Sequence, residues 1–338
     1  MKNFSKIFHN ELIKVNSSQT ILKVAIAILI LFVIVTVSFN FIIETIGDYM
    51  AGFENISPEN LELQISVLKN QIKEMEDSPK TSMGIADNTL YQLKAKLAMF
   101  EYARDNNVSL SSKSLFGSMS VDSAGYVTTI MDLVQTILVV FSVVMVVKTF
   151  HSEKSNGTLK MQMIRPVNRK SMLFAKMLAI FTVSFVLYFV FTVLAEIVAI
   201  IKFGTSAKDV LYVLNASIVG EMNFASYLVL TFFVDLFEMF CYMQLAYFMC
   251  SIFWRKESIM GLTIVVVLLG PMLESILNYI YIGYVGFFNN LDFLLALNPV
   301  TGPNMQGANL YSMLAITIVY QVAMMAYSFI HFDKCDIA

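Results

Sequence analysis

Five carboxylates stand inside long apolar runs of this sequence: Asp132, Glu196, Asp235, Glu238 and Glu274. An ionisable group in such a run is costly to leave in hydrocarbon, so it faces a cavity, a partner side chain or interfacial water. Counted along helices at ~1.5 Å per residue, Asp132 lies ~24 Å from Lys148 and Glu238 ~25 Å from Arg255, with Asp235 and Glu196 ~30 Å from their own basic anchors. Glu274 follows Pro271, so all five collect toward the outer third of a membrane layout. One reading is an acidic vestibule that receives or releases a cationic amphipathic substrate. The other is that these carboxylates reach outer-interface water or cap re-entrant helices. Opposite charge is concentrated elsewhere: Lys148, Lys154, Lys160, Arg165, Arg169, Lys170 and Lys176 stand against a single acid, Glu153, between two apolar runs.

Motifs for catalysis are missing. The sequence contains no G-x-x-x-x-G-K-[ST] to cradle phosphates, no H-E-x-x-H to bind zinc and no G-x-S-x-G elbow. His9, His151 and His331 are scattered singly, and Cys241, Cys250 and Cys335 fit neither a disulfide framework nor a metal cluster. The expectation is a chain without catalytic, cofactor-binding or metal residues, and no enzyme.

What must position these charges is a membrane domain. Hydrophobic residues make up 57% and charged ones 14% of the chain, with a mean hydropathy of +0.68, which excludes an ordinary soluble domain. The expected fold is an all-α integral membrane protein with six transmembrane helices. Residues 1–20 set Phe4, Ile7, Phe8, Leu12 and Val15 on one face, an amphipathic helix in the inner interface. Spans follow over 21–43, 126–147, 172–201, 224–253, 259–282 and 310–332, each long enough for a hydrocarbon layer of ~30 Å. Gly270 and Pro271 are expected to kink or break the fifth span. Residues 283–309 read as a re-entrant segment, 202–223 as an outer loop, 254–258 as a second cytoplasmic loop and 333–338 as a cytoplasmic tail.

The long insert over 44–125 is polar. Ser57, Pro58 and Glu59 start a helix with Leu61, Ile65, Leu68, Ile72 and Met75 on its seam; Asp87 caps another with Leu90, Leu93, Leu97 and Phe100. An antiparallel hairpin outside the membrane, turned near 78–86, is one reading, and amphipathic helices packed on the adjoining loops the other. Short basic loops stay inside. The segment 148–171 is therefore assigned to the cytoplasm together with both termini.

The order of residues in that loop resembles a known family. Glu153, Gly157, Thr158 and Leu159, then Arg165, Pro166, Val167 and Arg169, then Lys176, are similar to the cytoplasmic signature of ABC-2 type permeases. Asn10, Glu11, Leu12, Ile13 and Lys14 resemble that family's elbow helix, and Asp333 to Ile337 its ending. The resemblance implies that the loop forms a coupling helix docking on a separate ATPase, with Arg255 and Lys256 on the same side. It implies two permeases, as identical copies or sisters, working with two ATPases that bind ATP and Mg, in a bacterial plasma membrane. Relatives of this kind export bacteriocin-like or phenol-soluble-modulin-like peptides, so an amphipathic peptide or lipid-like cargo is expected. A membrane immunity or receptor protein binding a ligand with its outer hairpin is the alternative.

Overall fold

The computed structural model describes residues 2–16, 19–50, 58–77, 85–107, 114–115, 123–155, 169–204, 209–214, 217–252, 259–277, 286–288, 290–291, 293 and 310–334. In chain order these form α1 (Lys2–Asn16), α2 (Gln19–Met50), α3 (Pro58–Asp77), α4 (Ile85–Asp105), β1 (Ser114–Leu115), α5 (Ser123–Ser155), α6 (Arg169–Phe203), β2 (Val210–Leu214), β3 (Ile218–Met222), α7 (Phe224–Ile252), α8 (Ile259–Leu277) and α9 (Leu310–Lys334).

Among the described residues, five helices are long and apolar enough to cross a membrane: Gln19–Phe39, Ser123–Phe150, Arg169–Phe203, Phe224–Ile252 and Leu310–Phe332. The chain is a multi-pass, predominantly helical membrane protein. The expected fifth span is shorter, with an apolar stretch over Gly261–Leu273. It is also unbroken, because α8 runs as one helix through Gly270 and Pro271 to Leu277. Gly270 answers to packing here: a Cβ at that position would collide with the ring of Phe288. That ring belongs to the segment expected to be re-entrant, of which only six residues are described. Phe287 and Leu291 of that segment are buried in the main core, and Thr317 of α9 donates to the Asn290 carbonyl at 2.9 Å.

α5 is the hub of the bundle. Of its most apolar window 67% is buried, against 11% for α2, and it packs along both α6 and α7 with α2 and α8 at its sides. Tyr126, Val127, Met131, Leu138, Val143 and Val146 give it apolar contacts all round, the pattern of a helix enclosed by others. α2 keeps Leu22, Ile26, Leu29, Ile30, Val33, Ile34 and Val37 exposed, a stripe suited to lipid. Lys202 pins the middle of α2 to the end of α6. Its ammonium donates to the Thr36 carbonyl at 3.0 Å and lies 5.7, 6.0 and 5.4 Å from the rings of Phe39, Tyr126 and Phe203. Two residues later Gly204 takes a φ of 85°, the left-handed conformation that ends α6. Asn223 then caps α7, accepting a hydrogen bond from the Ser226 N–H at 2.8 Å.

The connection between α6 and α7, expected as a plain loop, contains a β-hairpin. Its register pairs Val210 with Met222 and Leu214 with Ile218, and β1 from the insert joins it in parallel, giving the order β1-β2-β3. Strand alternation decides what β2 does. Leu211 and Val213 face the insert, while Val210, Tyr212 and Leu214 face the membrane bundle. The insert is an antiparallel helical hairpin seated on this sheet. α3 begins at Pro58 as expected, and buries Ile65, Leu68 and Ile72. α4 begins at Ile85, so Asp87 lies in its first turn instead of preceding it. The fully buried line of α4 is Ala95, Met99, Phe100 and Ala103, with Leu93 and Leu97 at its margin, because α4 serves both α3 and the sheet.

Candidate functional site

The acids and bases of the sequence settle into two sites at different depths. The first lies where α1, the last turns of α5 and the first turns of α6 meet. α5 extends to Ser155, well past the 147 expected for its span, so Glu153 belongs to the same rigid helix. Its carboxylate is buried instead of displayed. Lys176, 2% exposed, donates to Glu153 Oε1 at 2.6 Å and to Glu11 Oε2 at 3.0 Å. Lys14 closes the cluster, donating to Glu11 Oε1 at 2.9 Å and approaching Glu153 Oε1 at 3.4 Å. Two ammonium groups and two carboxylates leave the cluster formally neutral, the condition under which buried charges are tolerated. Burial pulls the Lys14 ammonium toward a lower pKa, but the hydrogen bond and charge of Glu11, followed by Glu153, outweigh it and hold the group above its ordinary 10.5.

The sequence carried a signal for this site. Glu11 is the one acid of α1 and Glu153 the one acid of the basic stretch, while Lys176 stands alone in an apolar run. A lysine so placed needs carboxylates, and these two are the nearest along the neighbouring segments. Arg169 is the first residue of α6 and is half-buried. Gly157, Thr158, Leu159, Arg165, Pro166, Arg255 and Lys256 lie outside the described residues.

The second site lies halfway along α6 and α7. Tyr188 is fully buried and its hydroxyl donates to the carboxylate of Asp235, itself 3% exposed. Asp132 of α5 and Glu238 of α7 lie within electrostatic range of the same hydroxyl. Of these acids Asp132 is exposed and Glu238 half-buried. Glu196 stands two turns farther along α6, with a buried Oε2 that has no hydrogen-bond partner among the described residues. Glu274 lies on α8, which packs on α5 and α7. The five acids thus divide: three gather about Tyr188, and two stand apart. Spacing along single helices did not reveal Tyr188, since its partner lies on another helix. Among the described residues no group of three or more His, Cys, Asp or Glu could hold a metal ion.

A family model described as "Protein of unknown function (DUF2705)" matches residues 92–338. The chain belongs to the DUF2705 family. The match takes in both sites' portions of α5, α6 and α7, and the sheet between them. A DUF2705 chain of this length is also similar to the uncharacterized protein YhcI of Bacillus subtilis (strain 168), 23% identical over 285 residues, which is 83% of this chain and 84% of that protein. No solved structure matches.

Proposed function

We propose that this chain is the membrane-spanning permease subunit of an ATP-driven exporter of the ABC-2 type, with six spans and both termini in the cytoplasm of a bacterial cell. One observation carries the reading. Glu11, Glu153 and Lys176, three of the positions by which the sequence resembles ABC-2 permeases, meet in one buried ion cluster although 165 residues separate the first from the last. ATP and Mg are bound by a partner ATPase, and the cargo is amphipathic or hydrophobic, with peptides first.

Mechanically, the cluster ties the root of the basic segment to α1 and α6. A pull on residues 156–168 by a closing ATPase pair is passed to α5, the hub of the bundle, and to α6 together. A lever of this kind shifts the balance between inward-open and outward-open arrangements, since the two nucleotide states prefer different ones. Glu153 acts in it as a positioning residue, and Gly157, Arg165 and Arg169 belong to the docking face.

The test is co-purification with an ATPase and reconstitution in proteoliposomes. ATPase activity should rise when this chain is present, and Gly157→Val or Glu153→Gln should abolish the rise while membrane insertion persists. Absence of an associated ATPase, or full stimulation by both variants, would contradict the reading. The insert, with its own buried core, favours a ligand-binding receptor as the second reading, in which ligand capture survives without any ATPase.

A further inference from the structure

The last turn of α6 carries a cation that is fixed in place by groups other than a carboxylate. Lys202 is exposed, and among the described residues no Asp or Glu forms an ion pair with it. Its ammonium nevertheless has a defined position. It donates to the Thr36 carbonyl at 3.0 Å and lies within 6.0 Å of the rings of Phe39, Tyr126 and Phe203, which stand on α2, α5 and α6. Rings on three helices restrain the lysine stem, so much of the entropy of ordering a long side chain is lost before any anion arrives. An ammonium has three donors; Thr36 uses one and two remain. The neighbouring hydroxyls are already engaged, since Thr36 Oγ1 donates to the Phe32 carbonyl at 2.7 Å and lies 2.6 Å from the Tyr126 hydroxyl. An anion arriving here is therefore held by Lys202.

The surroundings of this ammonium are apolar and turned outward. Ile201 precedes Lys202 and Val37 follows Thr36; at 79% and 76% exposed they are the two most exposed large apolar side chains among the described residues. Ile197 and Val33 stand one turn away on the same faces and are exposed as well. A small soluble anion gains nothing from such neighbours, whereas an amphiphile with a negative head covers them with its chains. Depth agrees with this. From Lys176 in the ion cluster to Lys202 is ~39 Å along α6 at ~1.5 Å per residue, with no other base between them. A bilayer with its headgroups is ~40–45 Å thick, so Lys202 reaches the headgroup level of the leaflet opposite the cluster. Gly204 ends the helix just beyond it.

We propose that Lys202 is the headgroup clamp of a binding site for one anionic phospholipid. The lipid phosphate accepts from the Lys202 ammonium, a charge-assisted bond of the strong kind. The acyl chains run along Val33 and Val37 of α2 and along Ile197 of α6. Bound there, the lipid joins α2 to α6, two helices that otherwise touch little. The site needs only the bilayer and stands whatever the cargo or the partner of the chain.

The experiment uses the full chain with Trp254, its one tryptophan, replaced by Phe and with Val37→Trp as a reporter beside the site, reconstituted in phosphatidylcholine vesicles. Quenching of the reporter by brominated phosphatidylglycerol and by brominated phosphatidylcholine, each at rising fraction, reads which lipid occupies that spot. Phosphatidylglycerol should be preferred ~5-fold, the scale of one ammonium facing an anionic headgroup. Lys202→Gln should remove the preference and Lys202→Arg should keep it. Ile201→Glu puts a carboxylate beside the ammonium at a side chain that packs on little, so it should also remove the preference, and it carries the test if Lys202→Gln fails to fold. Glycerol phosphate in the buffer, a headgroup without chains, should leave the quenching unchanged. Equal quenching by the two lipids while Lys202 is present, or a preference kept by a folded Lys202→Gln or Ile201→Glu variant, would overturn the proposal. Displacement by glycerol phosphate would assign the ammonium to a soluble phosphate and overturn it too.

Discussion

The two buried charge sites of this molecule are built on opposite principles. At the junction of α1, α5 and α6, each carboxylate has an ammonium and the sum is neutral; the pairs also tie three segments distant in sequence. Between α6 and α7, Asp235 accepts a hydrogen bond from a neutral hydroxyl, that of Tyr188. The first arrangement is charge-balanced and serves to hold helices together. The second joins two helices through a hydroxyl and a carboxylate that meet deep in the bundle.

Stability measurements can break this contrast. Lys176→Met should have the largest effect, because it leaves two buried carboxylates to share the half-exposed Lys14; a loss approaching the ~3–5 kcal/mol of breaking a buried pair from one side is expected. Replacing Glu11, Glu153 and Lys176 together by Gln, Gln and Met should recover most of that loss in the same thermal unfolding assay. Asp235→Asn should leave stability unchanged or raise it by ~1 kcal/mol, since Asn accepts the Tyr188 hydrogen bond without the desolvation penalty of a carboxylate. A loss as large as that of Lys176→Met would erase the distinction between the two sites.

The insert sharpens the same point with ion pairs of nearly equal length. Lys69 meets Glu101 at 2.8 Å and Lys94 meets Glu76 at 2.7 Å across the α3–α4 hairpin, all with exposed or half-exposed side chains. Lys69→Ala or Lys94→Ala should cost ~0.2–1 kcal/mol and become milder in high salt, as exposed pairs do. The smallest effect concerns pH. Lys14 has a folded pKa above its ordinary 10.5, so its contribution to stability is complete below that value and fades as pH rises through the folded pKa. Alkaline unfolding curves should therefore show a loss in the wild type that Lys14→Met lacks, a difference reduced by the exposure of half of the side chain.

Much of the frame was legible because the membrane requires it. Apolar runs of sufficient length placed α7 where it stands, starting at Phe224. The β-hairpin was missed although Val210, Leu211, Tyr212 and Val213 form a short β-prone run ahead of the polar Asn215-Ala216-Ser217 sequence. Against the long apolar runs on either side, five strand residues look like a loop. At Gly270-Pro271 the local rule predicts a kink or a break; the break does not occur, since the helix continues and the glycine makes room for Phe288. The ion cluster could have been found by matching lone acids to a lone lysine. The Tyr188–Asp235 pair could not, because its partners lie 47 residues apart on separate helices and nothing in either helix's spacing selects the other.

Sidedness is the measurement on which the account turns. With Cys335 replaced by serine and Cys241 and Cys250 left buried in the bundle, one accessible cysteine at a time, at Lys170 on α6 or at Lys73 on α3, can be treated with a membrane-impermeant maleimide on intact cells and again after permeabilisation. The account predicts labelling of position 73 on intact cells and of position 170 only after permeabilisation. Labelling of position 170 from outside would place the ion cluster and the basic segment away from ATP, and the permease assignment would fall with it.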